Sequence, residues 1–153
     1  MKNRSLIGAA GVHYVCAELS MQGLIALPTV RNTKGMDVIV LKENGDFLAN
    51  RQVKTSSNKV SFWPVGKDYK KWNSKQDYYV FVRYYDEHFE AFLAPAKQVI
   101  EEVDKCVKDS EKQGYKPWAP CWYLPKINGK INIEKIKWRM LSKFRGIGFH
   151  TQR

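Results

Sequence analysis

Two strand-like runs joined at Asn44-Gly45 constrain this chain more than any other feature. Residues 36–42, Met-Asp-Val-Ile-Val-Leu-Lys, are rich in β-branched side chains, as strands are. Glu43-Asn44-Gly45-Asp46 follows, and Phe47 to Lys54 reads as the returning strand. Asn-Gly is a strong hairpin signal because both central residues of a type I′ turn need positive φ. With Asn44 and Gly45 as a two-residue loop, Glu43 lies opposite Asp46 and Asp37 lies opposite Gln52. Directly opposed side chains share a face, with Cβ atoms about 5 Å apart. Lys54, two residues beyond Gln52, points the same way. A one-residue bulge would break this register.

The rest of the chain supplies an α/β context. Residues 4–22 read as a helix with Ser5 as its N-cap and Gly23 as its stop. Ile7, Gly11, Tyr14 and Glu18 fall on one helical face. A carboxylate at Glu18 then needs a metal or a lysine beside it, or an edge position that reaches solvent. Leu24 to Leu27 is a short apolar strand ended by Pro28, and Val60 to Trp63 is another short strand. Residues 67–76 read as a helical turn or loop. Tyr78 to Tyr85 and His88 to Leu93 form a second antiparallel pair. Pro95 suits the start of a helix over 96–113, stopped by Gly114. Residues 115–125 are too proline-rich for a regular element, and Asn128-Gly129 marks a further turn. Glu134 to Phe144 is a basic amphipathic helix, with Ile136, Met140 and Phe144 on one side. The expected architecture is one α/β domain over 1–153, with 115–153 as a basic, aromatic C-terminal extension.

Length and composition narrow the function classes. A chain of 153 residues is long enough for one domain with a real core. No apolar run approaches the length of a membrane span, so no membrane role is expected. Met1-Lys2-Asn3-Arg4 is basic and Leu6 to Val12 apolar. That stretch is short, runs into His13 and Glu18, and lacks a small-residue cleavage site, so no signal peptide is expected. Cys16, Cys106 and Cys121 are scattered and odd in number, which argues against a zinc site and fits a cytoplasmic protein. The net charge of +11 points to a polyanion such as nucleic acid, or else to a lysine-rich solvated surface.

Glu18 on the first helix, Asp37 at the start of one strand and Gln52-Val53-Lys54 on the next resemble the PD-(D/E)XK nuclease superfamily. The tripeptide resembles the Gln-x-Lys variant of Mrr-type restriction endonucleases. The wider pattern, Gly35-Met36-Asp37-Val38 leading to Gln52-Val53-Lys54-Thr55, resembles small bacterial domains of that superfamily. The match covers residues 5–57. It implies a single restriction-endonuclease-like α/β domain, a central mixed β-sheet flanked by helices. It implies a metal-dependent endonuclease acting on duplex or branched DNA with Mg²⁺ or Mn²⁺, working alone or as a homodimer.

By the same resemblance, Asp37 is the main metal-binding carboxylate. Gln52 offers its side-chain oxygen, and the Val53 backbone carbonyl completes the site. Glu18 binds through water or holds a second ion, and Lys54 positions the attacking water. Two positions depart from the pattern. Met36 stands where the family's proline would be, and neutral Gln52 stands where most relatives have a carboxylate. The alternative is therefore a catalytically inactive DNA-binding module on the same fold, or a subunit of a protein complex.

Several basic and aromatic residues are candidates for contacting nucleic acid. Arg31 and Lys34 precede the Asp37 strand, and Lys135, Arg139 and Lys143 share one side of the last helix. Trp118, Trp122 and Tyr123 could stack unpaired bases, or cap the core. His13 falls at the rim of the site or on the plain surface, and His88 and His150 have no partner at ligand spacing.

Overall fold

The structure, a computed structural model, describes residues 3–30, 35–127 and 130–131. Helix α1 (Arg4–Met21) leads into strands β1 (Ile25–Pro28), β2 (Val38–Leu41) and β3 (Phe47–Ser56). A crossover holding β4 (Phe62–Pro64) and a short helical turn, Tyr69–Lys71, leads to β5 (Asp77–Tyr85). β6 (His88–Pro95), α2 (Ala96–Lys112) and β7 (Cys121–Tyr123) follow, then the two-residue strands β8 (Lys126–Ile127) and β9 (Lys130–Ile131). The main sheet has the order β1-β2-β3-β5-β6. β3 and β5 run parallel and every other neighbour is antiparallel. The mixed sheet flanked by helices is the architecture expected from the sequence.

Each face of the sheet carries its own core. Val15 and Leu19 of α1 pack with Val38, Val40, Val53, Val80 and Val82. Val99 and Val103 of α2 pack on the other face with Tyr79, Phe81, Phe92, Trp63 and Trp122. The Phe81 and Trp122 rings stack at 4.1 Å, within the range where aromatic pairs add to simple burial. No helix among the described residues is long and apolar enough to cross a membrane.

Local chemistry moves several expected boundaries. Asn3, not Ser5, caps α1, its Oδ1 accepting the Ser5 amide at 2.9 Å. The buried stripe of α1 is Gly11, Val15 and Leu19, which leaves Glu18 exposed at its edge. Gly11 is needed where it is, since a Cβ there would lie 1.9 Å from Thr55 Oγ1. The stretch 115–125 does hold a strand. β7 pairs with β4, Trp122 opposite Trp63. Its flanking prolines do not interfere, because Pro120 contributes only its carbonyl, to the Val65 amide at 3.0 Å.

The β2–β3 turn is not the expected two-residue loop. Lys42 donates to the Asp46 carbonyl at 2.8 Å, and Gly45 donates back to Lys42 at 2.9 Å. Glu43, Asn44 and Gly45 therefore make a three-residue loop with only Gly45 at positive φ, +88°. The extra residue is offset by a bulge at Leu48, since Val40 faces Ala49 and Leu41 faces Phe47. The two shifts cancel, and Val38 still faces Arg51 as the two-residue loop required. The type I′ turn lies at Asp86-Glu87 in the other hairpin, where φ is 47° and 62°.

Candidate active site

Asp37 sits just before β2, where that strand parts from β3. Its amide donates to the Arg51 carbonyl and its carbonyl accepts the Thr29 amide, both at 2.9 Å. Arg51 is already the partner of Val38, so the chain kinks here and Asp37 does not continue the ladder opposite Gln52. This corrects the side-by-side placement expected from the turn. The kink has a consequence for the carboxylate. The Val53 amide lies past the end of β2, and Asp37 Oδ2 accepts it at 2.7 Å. A side chain thus replaces the missing strand partner and fixes the carboxylate beside Gln52-Val53-Lys54.

Gln52 and Lys54 point away from α1. Their neighbours on β5, Tyr79 and Phe81, belong to the α2-side core, whereas Val53 and Val80 belong to the α1-side core. Gln52 Oε1 is buried and accepts no hydrogen bond, and the Tyr79 hydroxyl on the adjacent strand is likewise unpartnered. Burial, then the charge of Asp77, pushes the Tyr79 hydroxyl up to about 12, so it stays protonated and able to donate. Asn50, on the same face, is by contrast satisfied. It donates to Asp77 Oδ1 at 2.9 Å. Burial pushes the Lys54 ammonium below the ordinary lysine range, and the charge of Asp37 pulls it part of the way back. Asp37 and Lys54 are therefore close enough to feel each other.

The loop in front of the site is held by a tight contact. A Cβ on Gly35 would lie 1.8 Å from Trp72 Cε2, and Gly35 has φ +72°. Only glycine lets the Trp72 indole sit on the backbone that leads into Asp37.

The remaining expected site residues divide. Glu18 is exposed and lines a small cavity with Tyr14, Gln22 and Arg51. Arg51 is buried under the Tyr78 ring, 4.3 Å from its centroid, and burial lowers it to about 10. The cavity that Asp37 lines, about 610 Å³, takes His13 and Val12 from α1, not Glu18. Arg31, Lys34, Lys135, Arg139 and Lys143 lie outside the described residues. Of the three aromatics, Trp122 is in the core and donates to Glu102 at 2.6 Å, while Trp118 and Tyr123 are exposed. Sequence reasoning had no signal for Tyr79 or Trp72, whose relation to the site depends on the parallel β3–β5 register and on the crossover.

Among the described residues no three His, Cys, Asp or Glu side chains converge on a common point. A cation here would rest on one carboxylate plus neutral oxygens. Gln52 Oε1 has the chemistry for that role, being a buried acceptor with no donor.

No family model matches the sequence. No curated protein matches it either. Solved structures do match. One titled as the structure of a bacterial homing endonuclease, I-Ssp6803I, has a TM-score of 0.53 at 17% identity and covers 95% of this chain and 96% of that one. The chain therefore has the restriction-endonuclease-like α/β fold.

Proposed function

We propose that this protein is a metal-dependent endonuclease that hydrolyses DNA phosphodiester bonds. The observation that carries the reading is the Asp37 carboxylate, locked at the β2–β3 fork onto the amide of Val53, whose neighbours in the chain are Gln52, with its orphaned oxygen, and the half-buried Lys54. The fold it shares with a protein named a homing endonuclease supports it. So does the net charge of +11, which suits a polyanionic substrate.

Asp37, Gln52 Oε1 and the Val53 backbone carbonyl would hold Mg²⁺ or Mn²⁺, ions that take oxygen ligands and keep several waters. When bound, the ion lowers the pKa of a water and polarises a phosphoryl oxygen. The chain's own residues do the rest. The Val53 amide keeps the Asp37 carboxylate from rotating away. Lys54 presents a positive charge where negative charge develops on the phosphate. Asp37 in turn favours the protonated state that Lys54 needs. Glu18, on its separate cavity, stands outside this set.

Purified protein with Mg²⁺ or Mn²⁺ is expected to cut plasmid or branched DNA, and chelation with EDTA to stop it. Asp37→Ala and Lys54→Ala are each expected to abolish cutting. Cleavage that persists in both variants would overturn the assignment. A second reading, a DNA-binding module without catalysis, rests on the single carboxylate at the site. It predicts salt-dependent binding and no cutting with any divalent ion.

A further inference from the structure

The side of the sheet away from α1 is covered unevenly. Over β5 and β6 it is buried under α2, Trp63 and Trp122. Over β1 and β2 it presents Ile25, Leu27, Ile39 and Leu41, with Phe47 from β3. Register makes these one surface, with Ile25 beside Leu41, Leu27 beside Ile39, and Leu41 beside Phe47. None of the five belongs to either core. Ile25, Leu27 and Phe47 are 38%, 45% and 52% exposed. A polyanion has little to gain from such a surface, because nucleic-acid affinity comes from cationic contacts to phosphate. Contiguous exposed apolar area of this kind marks a docking site.

The chain itself supplies a matching occupant. β7 pairs with β4 within the α2-side core, on the same side of the sheet as the bare patch. Residues 132–153 follow. Within them Ile136, Met140 and Phe144 recur at helical spacing, with Lys135, Arg139 and Lys143 on another side. A helix over 134–144 is about 16 Å long. That is enough to cross β1, β2 and β3, whose outer members are about 10 Å apart. Such a helix is too short to hold together in water without a surface to bury its stripe.

We propose that residues 134–144 dock as a helix on the β1–β2 outer face, Ile136, Met140 and Phe144 against Leu27, Ile39, Leu41 and Phe47. Gln52 and Lys54 share that face with the patch. Lys135, Arg139 and Lys143 then form a cationic rim along the Asp37–Lys54 site. This last clause rests on the nuclease reading, whereas the docking itself does not.

Hydrogen exchange on the full chain, without DNA or metal, tests the docking apart from the nuclease reading. Amides of 136–144 are expected to be protected in a monomer. Leu27→Asp, at a residue outside both cores, and Phe144→Asp are each expected to speed their exchange by at least about tenfold, and the double variant no further. Unprotected 136–144 amides in the wild type would overturn the proposal. So would protection that appears only with dimer formation at rising concentration, which would assign the face to a second copy. With the docking intact, loss of DNA affinity in Lys135→Ala/Arg139→Ala/Lys143→Ala, with exchange unchanged, supports the rim. Unchanged affinity in that variant removes it.

Discussion

Arg83 is a buried cation and Lys54 a half-buried one on the same side of the sheet, and the fold treats them in opposite ways. Arg83 is saturated. Its Nε donates to Glu90 Oε2 at 2.7 Å, its Nη2 lies 2.5 Å from the same carboxylate, and its Nη1 reaches the Val60 carbonyl at 2.7 Å. Lys54 forms no ion pair among the described residues, and Asp37, whose charge acts on it, is occupied by a backbone amide. A buried charge closed on its partners serves the fold. A half-buried charge held short of them keeps electrostatic capacity for something that arrives later.

The largest effect expected of this contrast is on stability. Glu90→Ala strands the Arg83 guanidinium and should cost about 3–5 kcal/mol in urea unfolding. Arg83→Met/Glu90→Leu together should recover most of that. A Glu90→Ala cost no larger than that of a surface substitution would break the comparison. Lys54→Met should do the reverse. Cleavage falls below detection, a loss of at least about 10²–10³-fold, as for removal of one transition-state donor. The unfolding midpoint holds or rises, because a desolvated charge is gone. A fall in stability comparable to that of Glu90→Ala would show Lys54 to be structural.

Gly35→Ala sharpens the contrast from the loop side. Positive φ and the 1.8 Å approach to Trp72 should cost about 1–3 kcal/mol, read by unfolding and by the change in tryptophan fluorescence. Trp72→Ala in the same chain should return the steric part of that cost and leave the part due to φ. The smallest effect is a titration. The Lys54 Cε resonance should titrate below the free-lysine range, since burial disfavours the charged form. Asp37→Asn removes the charge that favours protonation, so the midpoint should fall further. A midpoint that stays or rises would mean that Asp37 does not face Lys54.

Much of the fold was legible because it rests on local patterns. The two helices, the 78–93 hairpin and the punctuation at Gly23, Pro95 and Gly114 follow from periodicity and turn chemistry. Two errors offset each other in the β2–β3 hairpin. Asn44 does not take the positive φ that a type I′ turn needs, and Leu48 bulges, so the register survived although the turn type did not. The placement of Asp37 was less legible. A strand pattern cannot show that the Val53 amide lacks a partner, and that missing partner draws the carboxylate into the fork. Glu18 takes the edge position reaching solvent, one of the two that the helical pattern allowed. Packing chose Val15 and Leu19, which turned Glu18 outward.

By itself, then, the sequence determined the strands, the helices and the residue types available for chemistry, since these depend on neighbours one to four positions away. Only the tertiary structure decided which of those residues meet. The parallel pairing of β3 with β5 set Gln52 beside Tyr79, and the crossover brought Trp72 onto Gly35. The kink at Asp37 traded a ladder position for a hydrogen bond to Val53. Contacts between distant segments depend on how the whole core closes, and no local pattern in the chain encodes that closure.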